Sequence, residues 1–358
     1  MHGAAPDDIV ATRAAAAGNA REPLLVIDTL TAFLDAHELG SGDVHAIPIG
    51  DGHSNVTYLV TREACELVLR RPPRGPLAPS THDVLREARL LRALDATAAR
   101  VPRVLAARED EAVIGAPFYL MERVHGEVLT STLPPALDAP AERRRCGEEL
   151  MDALAEIHAV DWRACGLEGF SSEPDGYLER QLRRFGGLWE RHRTRELPAI
   201  DEVGAWLAAH KPRSGPATIV HGEYRLGNVM LSATAPARVL AVFDWELATL
   251  GDPLADVGYV CALWSERDDP PLGAFELSGV TREPGFLTRD ELVARYEAAS
   301  GRAMTDIRWY RALALWKAAI FMEGNYRRAL AGTTDDPWLK GFGEGVIAIA
   351  ERAEAATR

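Results

Sequence analysis

Between residues 219 and 259 two short apolar runs, 229–231 and 239–243, flank a turn-like segment at 232–238. Such runs read as a hairpin of buried strands. Polar residues sit where each strand meets a loop: His221, Glu223 and Asn228 before the first, Asp244 and Glu246 after the second. A hairpin folds those two ends onto one edge, so Asn228 and Asp244 are expected to converge. Amide and carboxylate oxygens brought together in this way suit Mg²⁺. A turn or a cap would explain any one of these residues alone, but not the whole set in order with a hairpin between its halves.

The segment resembles the catalytic core of the aminoglycoside phosphotransferase family, relatives of choline kinases and protein kinases. That family carries His-x-Asp-x-x-x-x-Asn, an apolar strand, and then Ile-Asp-Trp. The protein-kinase equivalent is His-Arg-Asp-x-x-x-x-Asn followed by Asp-Phe-Gly. Here His221, Glu223 and Asn228 keep the spacing, and Asp244-Trp245 follows the second strand. The resemblance implies that Glu223, with His221, is catalytic and takes the substrate hydroxyl proton. It implies that Asn228 and Asp244, with Glu246 beside them, hold Mg²⁺ on nucleotide phosphates. Asp256, in Asp252-Pro-Leu-Ala-Asp256, matches the buried Asp that braces the catalytic loop. The chain departs from the pattern at Glu223, where the family has Asp. Either Glu223 is a working base in a re-aimed loop, or turnover is weakened or lost.

Upstream, residues 47–60 read as strand, Gly-rich turn and strand. Gly50 and Gly52 let backbone N–H groups approach an anion, and Ser54 and Asn55 add donors. The segment is similar to the family's nucleotide loop. The next strand, 66–71, ends in Arg70-Arg71 where the kinase plan places a phosphate-contacting Lys. Arg70 is the expected contact and Arg71 the runner-up, since a guanidinium fork can also bind phosphate. A helix is expected over 80–94, with Ser80 and Asp83 as its capping pair. Glu87 falls inside its apolar stripe of Val84, Ala88, Leu91 and Leu94. A carboxylate there needs a partner, which makes Glu87 the candidate to pair with the phosphate-contacting base. Strands at 101–107 and 117–122 complete a small antiparallel sheet. In the resemblance, Glu122 and Val124 offer backbone groups to a purine.

The resulting expectation is an α+β, protein-kinase-like two-lobed fold, a small antiparallel-sheet N-lobe followed by a larger, mainly helical C-lobe. Residues 1–22 read as a flexible or partly helical arm, 23–124 as the nucleotide-binding lobe, and 125–358 as the lobe with the catalytic loop and acceptor cleft. Helices are expected at 142–160, 177–192, 203–210, 288–300, 309–330 and 338–355. His158 reads as a satisfied core histidine. Glu323, Asn325 and Arg327 are candidate acceptor contacts, because the family's acceptor lies beside such C-terminal helices.

The net charge of −13 argues against nucleic acid or an anionic membrane surface as partner. No apolar run approaches the length of a membrane span, and the acidic first residues do not read as a signal peptide, so a cytoplasmic location is expected. Cys65, Cys146, Cys165 and Cys261 show no metal-ligand spacing. The leading expectation is a Mg²⁺-dependent small-molecule kinase that moves the γ-phosphoryl of ATP or GTP to a hydroxyl, on an antibiotic-like or hydroxyacyl acceptor. The alternative is a nucleotide-binding regulatory pseudokinase. A plain hydrolase is disfavoured because there is no Gly-x-Ser-x-Gly elbow. Residues 68–73 together with 244–253 resemble, more narrowly, the branch of the family found beside or fused to acyl-CoA dehydrogenases, which is associated with hydroxyacyl-CoA phosphorylation.

Overall fold

The computed structural model describes residues 8–17, 19, 21–50, 54–75, 82–171, 173–272, 276–332, 339 and 341–358. Gly52 and Ser80 lie outside them. The chain forms two compact units, Met1–Thr97 with Val101–Val124, and Ala98–Arg100 with His125–Arg358.

The first unit opens with β1 (Ile9–Val10), which pairs in parallel with β2 (Leu25–Val26). Part of the arm expected at 1–22 is therefore built into a sheet, and Val10 is buried. After α1 (Ile27–Ala36) come β3 (His45–Pro48), β4 (Val56–Arg62), β5 (Cys65–Arg71), α2 (Val84–Leu94), β6 (Val104–Arg108) and β7 (Phe118–Glu122). These five strands make one antiparallel sheet in the order β3-β4-β5-β7-β6. The period-two alternation of strands sorts the side chains. Leu67 and Leu69 of β5, with Tyr58, Val60, Phe118 and Leu120, pack in one cluster with Leu30, Phe33 and Leu34 of α1. Val68 and Arg70 point to the opposite face. Asp83 caps α2 by accepting from the Arg86 N–H at 3.0 Å.

The second unit contains α3 (Pro140–Ala159), α4 (Tyr177–His192), α5 (Pro198–Ala209), β8 (Thr218–Val220), β9 (Val229–Leu231), β10 (Val239–Val242), β11 (Thr249–Gly251), α6 (Leu254–Leu263), α7 (Arg289–Ser300), α8 (Ile307–Leu330) and α9 (Phe342–Ala355). Its core gathers Leu178, Trp189, Leu207, Trp309, Leu313, Trp316, Ile320, Val346 and Ile349 from α4, α5, α8 and α9. Gly258 lets α6 lie against α8, because a Cβ there would come within 2.6 Å of Tyr310. Thr288 and Glu291 form the expected capping box on α7. Among the described residues no helix is long and apolar enough to cross a membrane.

Candidate active site

β9 and β10 form the expected hairpin, with Leu231 opposite Val239 and Val229 opposite Val242. The Phe243 N–H donates to the Asn228 carbonyl at 2.8 Å. That bond puts Asp244, the next residue, beside Asn228. The hairpin is clamped from α3 through Arg100, which donates to Glu156 at both 2.8 Å contacts, to Glu149 at 2.6 Å and to the Val239 carbonyl at 3.0 Å. Glu149 also accepts from the Val239 N–H at 3.1 Å. Arg100 lay in no recognised motif.

The loop before β9 is fixed at several points. The buried Asp256 carboxylate, from α6, accepts from the backbone N–H groups of His221 at 2.7 Å and Gly222 at 2.8 Å. His158 meets it at 3.2 Å and meets the Tyr296 hydroxyl at 2.6 Å. Burial alone would raise the Asp256 pKa, but His158, His221 and the Gly222 N–H together outweigh it, and the carboxyl is held below its ordinary range. Gly222 sits at φ +91°, and a Cβ there would come within 2.9 Å of the Leu247 carbonyl, so the turn requires glycine. The Tyr224 hydroxyl donates to the Leu150 carbonyl at 2.7 Å. The Asn228 side-chain amide donates to the Glu223 carbonyl at 2.9 Å.

His221 was paired with Glu223 as a catalytic residue, and its geometry corrects that assignment. It is fully buried. One ring nitrogen lies 2.8 Å from the Phe243 carbonyl, and the other accepts from the Glu223 N–H at 3.2 Å. Both nitrogens are spent on the loop, and burial first of all keeps the ring neutral by lowering its pKa. His221 positions the loop and the hairpin end.

Glu223 is half-buried. Burial, then the nearby charges of Asp244 and Glu246, push its carboxyl up to about 7, with Arg225 and Lys317 pulling the other way. A group poised near neutrality suits a base. Asp244 adopts a left-handed conformation, φ 65° and ψ 59°, which costs an L-residue roughly 1–2 kcal/mol and aims the side chain off the strand. Among the described residues no three His, Cys, Asp or Glu side chains form a metal cage. Asn228 and Asp244 fit instead a cation that takes its other ligands from phosphate and water, as Mg²⁺ commonly does. Glu246, in the turn after Asp244, adds negative field at Glu223.

In the first unit Arg70 Nε lies 2.9 Å from Glu87, whose side chain is 2% exposed. Arg71, the runner-up, falls on the α1 face by strand alternation. It donates to the carbonyls of Leu24, Pro72 (2.9 Å) and Ile114 (3.3 Å), so it is a structural residue. If Arg70 serves nucleotide phosphates, Arg70→Ala and Glu87→Ala should each weaken nucleotide binding, and the double variant should lose little more than either single one. Additive losses in a calorimetric cycle would show that the two act separately. Gly50 takes φ 80°, and the Ser54 hydroxyl lies 3.1 Å from His82 Nδ1. Asn55 is buried. The Glu122 N–H is committed to the Arg103 carbonyl at 3.0 Å, which removes it as a donor for a purine. Val124 follows just beyond β7.

Of the three acceptor candidates, Glu323 alone is fully committed within the chain. Glu323 is fully buried and accepts from Thr194 N–H at 3.0 Å, Thr194 Oγ1 at 2.6 Å and Arg195 at 3.1 Å. It staples α8 to the chain after α4. Arg327 donates to the Arg191 carbonyl, and Asn325 accepts from Arg328 at 3.4 Å.

The chain is similar to proteins of known sequence and structure. A mouse protein, acyl-CoA dehydrogenase family member 10, is 35% identical over 90% of this chain, which spans only 30% of that protein's length. A Ralstonia eutropha crystal structure, provisionally described as an aminoglycoside phosphotransferase, is 32% identical with a TM-score of 0.79, covering 92% of this chain and 97% of that one. A spectinomycin phosphotransferase solved with ADP and spectinomycin, 12% identical, shares the fold with a TM-score of 0.56 over 91% and 98% of the two chains. The model of the phosphotransferase enzyme family matches residues 45–313, a span that takes in both the Arg70–Glu87 sheet and the braced loop with its hairpin. The matched span is well over half of the chain, and this chain belongs to the phosphotransferase enzyme family.

Proposed function

We propose that the protein is a small-molecule kinase, using Mg²⁺ with ATP or GTP to phosphorylate a hydroxyl compound. The observation that carries this reading is the register of the hairpin, which sets Asn228 against Phe243 and Asp244 while Asp256 holds the loop bearing Glu223. Asn228 and Asp244 would hold Mg²⁺, which would neutralise charge on the nucleotide phosphates. Glu223 would accept the acceptor's hydroxyl proton as the oxygen attacks the γ-phosphorus. His221, Tyr224 and Asp256 keep the loop in place, so the residues act chiefly by positioning. A nucleotide co-substrate with Mg²⁺ as cofactor fits a cytoplasmic location.

The second reading, a nucleotide-binding protein with little turnover, is favoured by one observation, the Glu at position 223 in place of the family's Asp. Transfer from γ-labelled ATP and GTP to a panel of hydroxyl compounds, with and without chelator, separates the two. Chelator-sensitive transfer supports the kinase. Nucleotide binding with no transfer to any acceptor supports the second reading.

A further inference from the structure

Lys317 is one of only three lysines in a chain that otherwise takes its 40 basic residues from arginine. It lies on α8, in the second unit, and lines a small cavity with Tyr177, Gly222, Asp256, Tyr259 and Tyr310. Gly222 immediately precedes Glu223. The enclosed volume, about 10 Å³, is that of about one water or one anion oxygen. It is a socket for a terminal group, not a pocket for a whole molecule.

The charges around this socket are not balanced by the chain. Lys317 Nζ stands 4.9 Å from the Phe185 ring centre, and Arg184 Cζ stands 5.8 Å from the same ring. Among the described residues neither cation has a carboxylate within ion-pair distance. The Asp256 oxygens, the nearest fixed negative charge on the cavity wall, are taken up by His221, Gly222 and His158. An aromatic face attracts an ammonium but satisfies none of its three N–H donors. Half-burying such a group without a partner is unfavourable, and burial, more than Arg184, depresses the Lys317 pKa to about 8. The half-buried Lys317 on the cavity wall, with the exposed Arg184 near the same Phe185 ring outside the cavity lining, forms a site complementary to an anion beside the loop that carries Glu223. This stands out in a chain of net charge −13.

Resting on the kinase reading above, we propose that Lys317, supported by Arg184, docks an anionic group of the acceptor, so that the acceptor is a hydroxyl compound carrying a carboxylate or a phosphate. Lys317 is thus a specificity-determining residue. It pairs with the acceptor's negative end while the hydroxyl reaches Glu223.

The test has a binding arm and a transfer arm. Protein labelled with ¹³C at lysine Cε gives three lysine signals, and the loss of one in Lys317→Met assigns Lys317. Titration with 3-hydroxybutyrate, and separately with glycerol 3-phosphate, should shift that signal. The neutral analogues 1,3-butanediol and glycerol should not shift it. The response to one anion over the other identifies carboxylate or phosphate as the group recognised. In transfer assays with ATP and Mg²⁺, Lys317→Met should raise KM for the anionic acceptor about tenfold or more, the worth of one charge-assisted hydrogen bond. Transfer to the neutral analogue should fall much less, only by the loss of the Lys317 charge that holds the Glu223 carboxyl down, and Lys317→Arg should retain most of the preference. A Lys317 signal unmoved by either anion overturns the proposal, as does an equal loss of kcat with charged and neutral acceptors, which would make Lys317 a countercharge to Glu223. Wild-type protein that transfers phosphate to nothing, while its Lys317 signal still responds to an anion, defeats the kinase reading and leaves the anion site standing.

Discussion

Asp244→Asn is expected to abolish nearly all Mg²⁺-dependent transfer, by at least about a hundredfold, the scale seen when one preorganised electrostatic contact is removed from a reacting centre. The substitution changes little else. Asn tolerates the left-handed conformation found at Asp244 about as well as Asp does, and the side chain is only half-buried. The variant should therefore melt close to wild type. Nucleotide titrations with and without Mg²⁺ give the decisive comparison, because the loss should lie in the Mg²⁺-dependent part of the affinity. A folded variant with unchanged Mg²⁺ dependence would remove Asp244 from the metal site.

Glu223→Gln should lower single-turnover transfer by roughly a hundredfold or more, the usual contribution of a positioned general base, and leave ATP–Mg²⁺ binding intact. Glu223→Asp should also lose rate, because shortening the side chain by one methylene withdraws the carboxylate by about 1 Å, a displacement worth up to roughly a hundredfold. The pH profile adds an independent sign. With its carboxyl pushed up to about 7, Glu223 is protonated and inactive as a base below that value. At saturating acceptor, wild-type transfer should rise with pH as Glu223 loses its proton. The Gln form should lack that limb. A Gln form as fast as wild type would refute Glu223 as base and favour a nucleotide-binding protein without useful turnover.

The sequence made the first unit legible because its strands are long enough to alternate. Alternation also explains why Arg70 and not Arg71 faces Glu87, a distinction that required the register of β5. In the second unit the amphipathic helices and the hairpin were readable, but β8, β11 and α6 were not. β8 and β11 have three residues each, too short to show a period. α6, Leu-Ala-Asp-Val-Gly-Tyr-Val-Cys-Ala-Leu, is apolar on most sides because it is buried on most sides, so it has no stripe to detect. Motif spacing brought Asn228, Asp244 and Asp256 into view. It assigned His221 to chemistry because the motif names a histidine without saying which way the ring turns. Spacing on α8 likewise offered Glu323, although a carboxylate on a buried face can as readily be a staple as a ligand contact. Lys317 lay on the same helix and belonged to no pattern.

The Asp256 carboxylate receives the amide protons of both His221 and Gly222, and this has a dynamic consequence. Those two protons can exchange with solvent only when the loop detaches from α6, whose contacts lie within the core of the second unit. Their deuterium uptake should report detachment of this loop from α6. The loop that carries Glu223 is thus tethered to α6 at its start.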